Sequence, residues 1–253
     1  MVTFDIIIPA RLQSRRFKKK IFYKFYDLPM VEHVRRRGLL IKGVSNVFVA
    51  TCDNEVSDLI NSNGGKVLMT SSDCENGTER ASEASSQLSS KYIILLQGDE
   101  PCFYPFQIEQ LIEYVKRTKS LFYNLVAPIT SKSTLYDIST VKCSINHKKE
   151  ITSCFRTSPY ISKYSFQKTF IKKLLGVMCF ERNFLSKLGN LQRSIISVNE
   201  SIEQLNLLVN NISMKSFEVN KDVPSLNVKE DLKKIEIEFK SKDQQKILNT
   251  ILK

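Results

Sequence analysis

Along the chain, short runs of apolar residues alternate with longer stretches in which apolar residues recur every three or four positions. A short apolar run bounded by turn residues is typical of a buried strand, and the longer spacing is typical of an amphipathic helix. In the first half of the chain the pattern predicts strands at residues 4–9, 46–51, 66–70 and 92–97. It predicts helices at residues 29–42, 54–62, 78–88 and 105–117. Strands that alternate with helices in this way indicate an α/β fold.

The second half of the chain continues the alternation. Apolar stretches lie at residues 121–129, 140–145 and 174–180, and a further strand is predicted at residues 214–219. Helices are predicted at residues 182–188 and 200–210, and a helical pattern rich in Lys and Glu follows at residues 229–252. Because no linker, repeat or low-complexity tract interrupts the chain, we expect residues 1–253 to form a single domain. Residues 130–173 are a candidate excursion that projects from it.

Composition narrows the class of protein. The chain of 253 residues is 42% hydrophobic, which allows one large core or at most two small ones. No stretch approaches the roughly 20 apolar residues of a membrane-spanning helix. The apolar run at residues 4–8 ends in Pro9 and is followed by Arg11, so a signal peptide is not expected. We therefore expect a cytoplasmic protein that does not enter a membrane.

The inventory of Cys and His limits the chemistry. The six cysteines are scattered and form no C-x-x-C pair, so neither a zinc site nor a disulfide framework is expected. The two histidines, His33 and His147, argue against histidine-ligated metals and Ser-His-Asp catalysis. A hard cation held by carboxylates and phosphates stays compatible with this inventory. The net charge of +12 comes from basic residues spread along the chain, so nucleic-acid binding is not favoured.

A basic loop follows the first predicted strand. After Ile8 the chain reads P-A-R-L-Q-S-R-R-F-K-K-K, with basic side chains at Arg11, Arg15, Arg16 and residues 18–20. A strand-to-helix turn of an α/β sheet directs backbone N–H groups outward at the carboxyl edge, where nucleotides bind. Arg and Lys side chains at that edge supply the positive charge that a triphosphate needs. A solvated basic loop is the alternative, and this segment alone does not separate the two.

An acidic pair follows the fourth predicted strand. The apolar run at residues 92–96 leads directly into Q-G-D-E-P at residues 97–101. Asp99 and Glu100, at the carboxyl end of a central strand, are well placed to hold a divalent cation against a bound phosphate. A turn or capping carboxylate is the alternative, and whether Glu100 joins Asp99 on a cation stays open.

The segment N-G-T-E-R at residues 76–80 precedes a helical run. Thr78 is expected to cap that helix, which is the structural explanation of the segment. Alternatively the helix N-terminus, with Gly77 before it and Arg80 within it, binds a nucleotide base or phosphate. Together the three segments predict strand-end loops of one sheet that face one crevice.

In their order along the chain, these segments resemble the 3-deoxy-manno-octulosonate (Kdo) cytidylyltransferase family, also called CMP-Kdo synthetases. The N-terminal signature P-A-R-x-x-S-x-R-x-x-x-K of that family is matched by Pro9, Ala10, Arg11, Ser14, Arg16 and Lys20. Residues 76–80 resemble its G-T-E-R segment, and residues 97–101 resemble its Q-G-D-E-P segment. Further matches lie in the expected order at Pro29, His33, Val49, Lys142, Arg156, Gly176 and Glu203. The resemblance extends to about Leu232.

The resemblance implies a three-layer α/β/α sandwich with a mostly parallel mixed sheet, of the nucleotide-diphospho-sugar transferase type. It also implies a homodimer that uses CTP and Mg²⁺ to activate an acidic sugar. The anomeric hydroxyl oxygen of the sugar would attack the α-phosphorus of CTP, release pyrophosphate and form the CMP-sugar.

The resemblance also implies roles for individual residues. Arg11, Arg16 and Lys20 would neutralise the triphosphate and Asp99 would bind Mg²⁺, so these are the expected catalytic residues. The residues expected to contact the nucleotide are Pro9, Ala10, Arg11, Ser14, Arg16, Lys20, Gly77, Arg80 and Gln97. The residues expected to contact the sugar acid are Gln97, Arg156, Glu203 and Gln204. Asn227 stands at the position of a second metal ligand.

The chain departs from the family pattern at several positions. Residues 17–19 replace L-P-G in front of Lys20. Without that Pro and Gly, the backbone conformation of the basic loop is less strongly defined. Asn227 is a neutral amide where the family motif V-D-T-P-E-D-L has Asp, which predicts weaker metal binding. Leu174 and Asn206 stand where the family has His and Arg on the sugar side. An amino or dideoxy relative of Kdo is therefore an alternative substrate.

Three functions are compatible with the sequence. The leading hypothesis is a cytidylyltransferase for Kdo or a closely related 2-keto-3-deoxy sugar acid, serving lipopolysaccharide or surface-polysaccharide synthesis. The second is a catalytically weakened paralogue that acts as a nucleotide-binding or regulatory subunit. The third, a nucleic-acid-binding protein, is disfavoured by the scattered lysines. The expected partners are CTP, an acidic sugar and a second copy of the chain, with neither nucleic acid nor a membrane.

Overall fold

The computed structural model describes residues 2–13, 17, 19–189 and 191–253. Two predicted site residues, Ser14 and Arg16, lie outside the described residues. The described strands are β1 (Phe4–Pro9), β2 (Lys24–Phe25), β3 (Leu28–Pro29), β4 (Asn46–Thr51), β5 (Lys66–Met69), β6 (Tyr92–Leu96), β7 (Phe122–Pro128), β8 (Lys142–Ile145), β9 (Ile151–Phe155), β10 (Ile171–Glu181) and β11 (Lys215–Glu218).

The described helices are α1 (Met30–Gly38), α2 (Asn54–Ser62), α3 (Gly77–Ser85), α4 (Pro105–Thr118), α5 (Lys132–Tyr136), α6 (Tyr164–Phe170), α7 (Arg182–Leu188), α8 (Ile195–Glu200), α9 (Gln204–Val209), α10 (Asp231–Phe239) and α11 (Lys242–Ile251). A short 3₁₀ helix, Lys20–Phe22, precedes β2. None of these helices is both long and apolar enough to cross a membrane.

Within the described part of the chain, nine strands form one sheet. Its main row is β11-β7-β10-β6-β1-β4-β5, with β8 beside β10 and β9 beside β8. β1 runs parallel to β4 and β6, β4 runs parallel to β5, and β7 runs parallel to β11. β10 is antiparallel to both of its neighbours in the row, β6 and β7. The expected mostly parallel mixed sheet is therefore confirmed, with β10 as the reversed strand of the main row.

Side chains on the two faces of the sheet enter different apolar clusters. On β1, Phe4, Ile6 and Ile8 belong to one cluster, and Ile7 belongs to the other, because successive side chains of a strand point to opposite faces. The first cluster is completed by buried residues of α1, α2, α4, α10 and α11. The second is completed by buried residues of α3, α7 and α9. This arrangement confirms the expected three-layer α/β/α sandwich.

The predicted bounds agree with the structure for β1, β4, α2 and α7. The prediction of one helix at residues 200–210 was wrong, because Ser201 adopts a left-handed conformation (φ 52°) and separates α8 from α9. The prediction of one helical segment at residues 229–252 was also wrong in extent. Ser241 interrupts it and caps α11, accepting a hydrogen bond from Gln244 N at 3.4 Å.

Residues 130–173, the candidate excursion, contain α5, β8, β9 and α6. β8 and β9 form an antiparallel pair beside β10. Ile129, Leu135 and Ile171 form a small apolar cluster of their own. β9 was not predicted, because Thr152 and Ser153 separate its apolar residues and leave no continuous run.

Phe239 of α10 packs the C-terminal helices against the rest of the molecule. Its ring is fully buried, with its centroid 5.2 Å from that of Phe25 and 5.4 Å from that of His33. The Arg37 guanidinium carbon lies 5.7 Å from the centroid of the same ring. A single aromatic side chain therefore joins α10 to α1 and to the β2–β3 pair.

We expect Phe239→Ala to lower the free energy of unfolding by about 3–5 kcal/mol, because it removes a buried ring and leaves a cavity. Urea denaturation followed by circular dichroism measures this change. Phe166 on α6 is 64% exposed and provides the matched control. Phe166→Ala should change the free energy of unfolding by less than about 0.5 kcal/mol. Equal losses in the two variants would contradict the packing of Phe239.

Candidate active site

An open cavity of about 1340 Å³ lies at the carboxyl ends of β1 and β6. The two strands are adjacent and parallel, with Ile7 opposite Leu95, so the loops that leave them meet at one edge of the sheet. The cavity is lined by residues 9–13, 75–80 and 97–99, and on its far side by most of residues 197–207. The prediction that the three sequence segments share one crevice is confirmed.

Gly98 lets the loop after β6 pass close to the loop after β1. A Cβ atom at this position would lie 3.0 Å from the carbonyl oxygen of Pro9. Any larger residue would therefore push the two loops apart. On the other side of Pro9, Ala10 N donates a hydrogen bond of 2.9 Å to Ala50 O, which continues the pairing of β1 with β4. Pro9 and Ala10 are thus fixed at the floor of the cavity.

Lys20 and Asp99 form an ion pair inside the cavity. The distance from Lys20 Nζ to Asp99 Oδ2 is 2.5 Å, and the side chains are only 17% and 22% exposed. Lys19 precedes Lys20 with a left-handed backbone (φ 51°), and Lys20 opens the 3₁₀ helix. Leu226 joins the pair from a third part of the chain: its N–H donates to Asp99 O at 2.8 Å, and its carbonyl lies 3.4 Å from Lys20 Nζ.

Arg11 lies at the exposed rim of the cavity. One of its terminal nitrogens donates a hydrogen bond of 2.9 Å to Glu75 O, in the loop that leads to α3. The next residue, Leu12, is held by its backbone N–H, which donates to Asp53 Oδ2 at 2.8 Å. The loop after β1 is therefore attached both to the start of α2 and to the start of α3.

The start of α3 is capped by Asn76, not by Thr78 as we predicted. Asn76 Oδ1 accepts a hydrogen bond of 2.9 Å from Glu79 N, and its amide nitrogen donates to Glu79 Oε1 at 2.9 Å. The first contact satisfies a backbone N–H of the first turn, as an N-cap side chain does, and the second holds the two side chains together. Because the cap lies earlier, Gly77 opens the helix, and the Thr78 hydroxyl is directed across the cavity, where it donates to Glu203 Oε2.

Arg80 borders the cavity but is itself buried. Its guanidinium donates to Thr70 Oγ1 at 2.5 Å, to Ser71 O at 3.2 Å and to Cys74 O at 3.4 Å. These contacts hold the loop between β5 and α3. Binding of the nucleotide by Arg80 stays a prediction.

Glu203 and Gln204 lie together at the start of α9, on the far wall of the cavity. Desolvation raises the pKa of the Glu203 carboxyl, although the hydrogen bonds from Thr78 act in the opposite direction. Gln204 is buried, and its Nε2 donates to Asn124 Oδ1 at 2.9 Å.

Arg156 lies at the edge of the same wall. Its guanidinium donates to the carbonyl oxygens of Glu200 at 2.8 Å, Ile138 at 3.1 Å, Ser201 at 3.2 Å and Ser139 at 3.3 Å. It therefore joins the loop after α5 to the turn between α8 and α9. Contact of Arg156 with a sugar acid stays a prediction, like the roles of Glu203 and Gln204.

The donors available for a cation centre on Asp99. The described residues contain no group of three or more His, Cys, Asp or Glu side chains that could hold a metal ion. Glu100 Oε1 accepts a hydrogen bond of 2.9 Å from Gly176 N, and burial together with Asp99 raises the pKa of Glu100 to about 7. Magnesium is commonly held by one or two carboxylates together with substrate phosphates and water. The donor set fits a cation of that kind.

Asn227 follows Leu226 and is therefore adjacent in the chain to the residue that bonds Asp99. Its backbone N–H donates to Asp231 Oδ2 at 3.0 Å, and its side-chain amide donates to Ser225 Oγ at 3.2 Å. Val228 N donates to the same Asp231 oxygen at 3.1 Å. The Asp231 carboxylate thus shapes the turn that carries Asn227.

Arg193 lines the cavity between α7 and α8, although no sequence motif indicated it. Arg193 Nε donates to Glu79 Oε1 at 2.7 Å, and its terminal nitrogens contact Glu75 and Glu79. These ion pairs raise the pKa of Arg193. No local pattern could have identified them, because they join charges more than one hundred positions apart, with a separation of 114 residues between Arg193 and Glu79.

Comparisons with known proteins identify the family. The sequence model of the family described as cytidylyltransferase matches residues 6–221. The chain is 32% identical over 230 residues to 3-deoxy-manno-octulosonate cytidylyltransferase of Escherichia coli, covering 91% of this chain and 93% of that protein. It is 32% identical over 244 residues to 8-amino-3,8-dideoxy-manno-octulosonate cytidylyltransferase of Shewanella amazonensis, covering 93% and 98%.

Comparison with a solved structure indicates the same family. CMP:2-keto-3-deoxy-manno-octonic acid synthetase, complexed with CTP, superposes with a TM-score of 0.86 at 31% identity. The match covers 93% of this chain and 97% of that one. These findings confirm the resemblance that the sequence motifs indicated. The chain therefore belongs to the cytidylyltransferase family that contains the 3-deoxy-manno-octulosonate cytidylyltransferases.

Proposed function

We propose that this protein is a cytidylyltransferase that activates Kdo, or a closely related 2-keto-3-deoxy sugar acid, with CTP to give CMP-sugar and pyrophosphate. The observation that carries the proposal is the Lys20–Asp99 pair in a cavity at the joined ends of β1 and β6. The similarity to a synthetase complexed with CTP supports it. The product would serve lipopolysaccharide or surface-polysaccharide synthesis.

In the proposed reaction the nucleotide occupies the side of the cavity formed by the loops after β1 and β6. Lys20 and Arg11 place positive charge against the triphosphate, with Gly77 and Gln97 bordering the same space. Asp99 and the side-chain amide oxygen of Asn227 would hold Mg²⁺, which supplies positive charge to the phosphates when bound. Arg16 is proposed to neutralise the triphosphate, and Ser14 is proposed to contact the nucleotide, as the resemblance implies.

The sugar acid occupies the far wall, near Glu203, Gln204 and Arg156. Its anomeric hydroxyl oxygen forms the new bond to the α-phosphorus of CTP, the bond from that phosphorus to pyrophosphate breaks, and the hydroxyl proton is released to water. No covalent intermediate with the protein is needed, so the contribution of the protein is positioning and charge neutralisation. The relatives act on Kdo and on its 8-amino-3,8-dideoxy form, and both are candidate substrates here.

We further propose that the enzyme acts as a homodimer in the cytoplasm, as the resemblance implies. The alternative of a catalytically weakened paralogue, raised by Asn227, has no support among the relatives reported above, whose names are those of active transferases. Nucleic-acid binding also has no support among these relatives.

The proposed function predicts pyrophosphate release that requires CTP, Mg²⁺ and Kdo or its 8-amino-3,8-dideoxy form. UTP, ATP and GTP serve as nucleotide controls, and sialic acid serves as the control sugar. Asp99→Ala should lower kcat by about 10²–10³-fold, because it removes the carboxylate next to the phosphates. Asp73, an exposed loop residue, is the matched control, and Asp73→Ala should leave the rate unchanged. If CTP with either sugar acid gives no pyrophosphate, this function is wrong.

Neighbouring lysines allow a sharp test of the charge in the cavity. Lys20→Ala should raise KM for CTP and lower kcat/KM about 100-fold, because a charge directed at the phosphates is lost. Lys19→Ala is the control, since Lys19 pairs with Glu55 at 3.0 Å on the surface, with both side chains 61% exposed. Its kcat/KM should stay within about threefold of the wild type. Similar losses in both variants would point to general electrostatics of the loop and against a specific role of Lys20.

Restoring a carboxylate at Asn227 tests the second metal position. Asn227→Asp should increase activity at limiting Mg²⁺ and lower the Mg²⁺ concentration for half-maximal rate several-fold, because a charged oxygen binds Mg²⁺ more tightly than an amide oxygen. Titration of the initial rate with Mg²⁺ measures the shift. Asn210→Asp, an exposed position after α9, controls for the added charge. An unchanged Mg²⁺ dependence in Asn227→Asp would remove Asn227 from the metal site.

A further inference from the structure

β10 bulges beside the cavity, opposite Asn124. Leu174 pairs with Val126 and Met178 pairs with Asn124, so β10 advances four positions while β7 advances two. The extra residues, centred on Gly176, have no partner in β7 and leave backbone groups that the sheet does not satisfy. The bulge therefore depends on contacts with side chains for its shape.

Asn124 supplies these contacts from within the sheet. It is fully buried in β7, a strand that is otherwise mostly apolar. Its amide nitrogen donates to Leu175 O at 2.9 Å and to its neighbour Leu125 O at 2.8 Å, with Val177 O at 3.4 Å. An amide in such a place has to be hydrogen-bonded, because burial without partners is costly. Asn124 thus holds the carbonyl groups on both sides of Gly176.

The bulge also holds the turn that carries Asp99. Gly176 N donates to Glu100 Oε1 at 2.9 Å, and Gly176 O accepts from Gln97 N at 3.3 Å. A Cβ atom at Gly176 would overlap the Glu100 carboxylate, so only glycine lets the backbone approach the turn this closely. Asp99 lies between the two residues that are held. A displacement of the bulge would therefore displace Asp99.

The other end of the Asn124 amide reaches the far wall of the cavity. Asn124 Oδ1 accepts the 2.9 Å hydrogen bond from Gln204 Nε2 at the start of α9. Glu203, the adjacent residue, contacts the Thr78 hydroxyl. One buried side chain consequently joins the wall that carries Glu203 and Gln204 to the bulge that supports Asp99.

We propose that Asn124 is a positioning residue that couples the start of α9 to the turn of residues 97–100, so that the two ends of the cavity adjust together. The inference rests on the proposed function, because it assigns the sugar acid to the α9 wall and the phosphates to Asp99. Asn124 itself touches neither ligand and acts through Gln204 on one side and Gly176 on the other.

The kinetic test compares Asn124→Ala with Ser216→Ala. Ser216 is the matched control: it is buried on β11, opposite Asn124 in register, and donates to Lys149 O at 3.0 Å away from the bulge. We expect Asn124→Ala to lower kcat and raise KM for the sugar acid, so that kcat/KM falls about 10- to 100-fold. The Kd of CTP measured without Mg²⁺ by calorimetry should change less than about twofold. Ser216→Ala should change neither quantity.

Hydrogen exchange of the free protein tests the coupling independently of activity. In Asn124→Ala we expect faster exchange in peptides that cover residues 97–103, 173–178 and 202–207, and in Ser216→Ala we expect wild-type exchange there. If exchange in Asn124→Ala is unchanged in residues 97–103 or in residues 202–207, the proposal is overturned. Faster exchange with wild-type kinetics identifies a merely structural residue and overturns it as well.

A second variant covers the case in which Asn124→Ala does not fold. Asn124→Thr retains a hydroxyl that can make part of the hydrogen bonding, and its branched side chain suits a strand. It should give intermediate kinetics and intermediate exchange, whereas values equal to those of the wild type would contradict the coupling. If the wild-type protein releases no pyrophosphate with either sugar acid, the proposed function fails, and the coupling is then decided by the exchange at the two ends.

Discussion

The contact between Lys20 and Asp99 is the interaction around which the site is organised. It joins the segment after β1, the segment after β6 and, through Leu226, a segment near the C-terminal helices. The pair is mostly shielded from water, so its charges are screened less than those of the exposed pair formed by Lys19 and Glu55. Removing one partner would leave the other charge in a poorly solvated place. In the proposed reaction, phosphates and a cation provide replacement partners.

The basic residues around the cavity differ in what they contact. Arg80 and Arg156 donate to backbone carbonyls of neighbouring loops, and Arg193 pairs with Glu75 and Glu79. Such contacts fix the walls of the cavity, because a planar guanidinium can hold several acceptors at once. Charged groups that already have partners within the protein therefore shape the walls of the cavity.

One irregular part of the sheet lies beside the site. β10 is reversed relative to the other strands of the main row and bulges where it passes the turn of residues 97–100. β6 ends at Leu96, opposite Val177, so the N–H of Gly176 lies past the end of that ladder and can bond Glu100. On the β7 side the bulge leaves carbonyl groups without strand partners, and Asn124 satisfies those of Leu175 and Val177. Local departures from ideal geometry are expected at functional positions for this reason.

The sequence by itself determined the strands and helices whose patterns are strong, and it identified the segments that meet at the cavity. β6 is a continuous apolar run, β1 is apolar apart from Asp5, and α2 has the spacing of an amphipathic helix, so local physics was enough to predict them. The helix at residues 200–210 and the cap at Thr78 were predicted wrongly, because a single left-handed residue and a competing Asn decide them. The pattern suggested a cation site at Asp99 and Glu100 and a phosphate-binding basic loop, with alternatives open, and the family resemblance assigned these roles to Asp99 and Lys20.

Only the tertiary structure decided which distant groups contact one another. The bond from Gln204 to Asn124 spans 80 residues, and that from Gly176 to Glu100 spans 76. Neither has a local signature, because the spacing of residues along a chain does not report the pairing of strands or the position of a bulge. A sequence pattern shows which face of an element is apolar, whereas the placing of individual polar groups depends on how all the elements pack together.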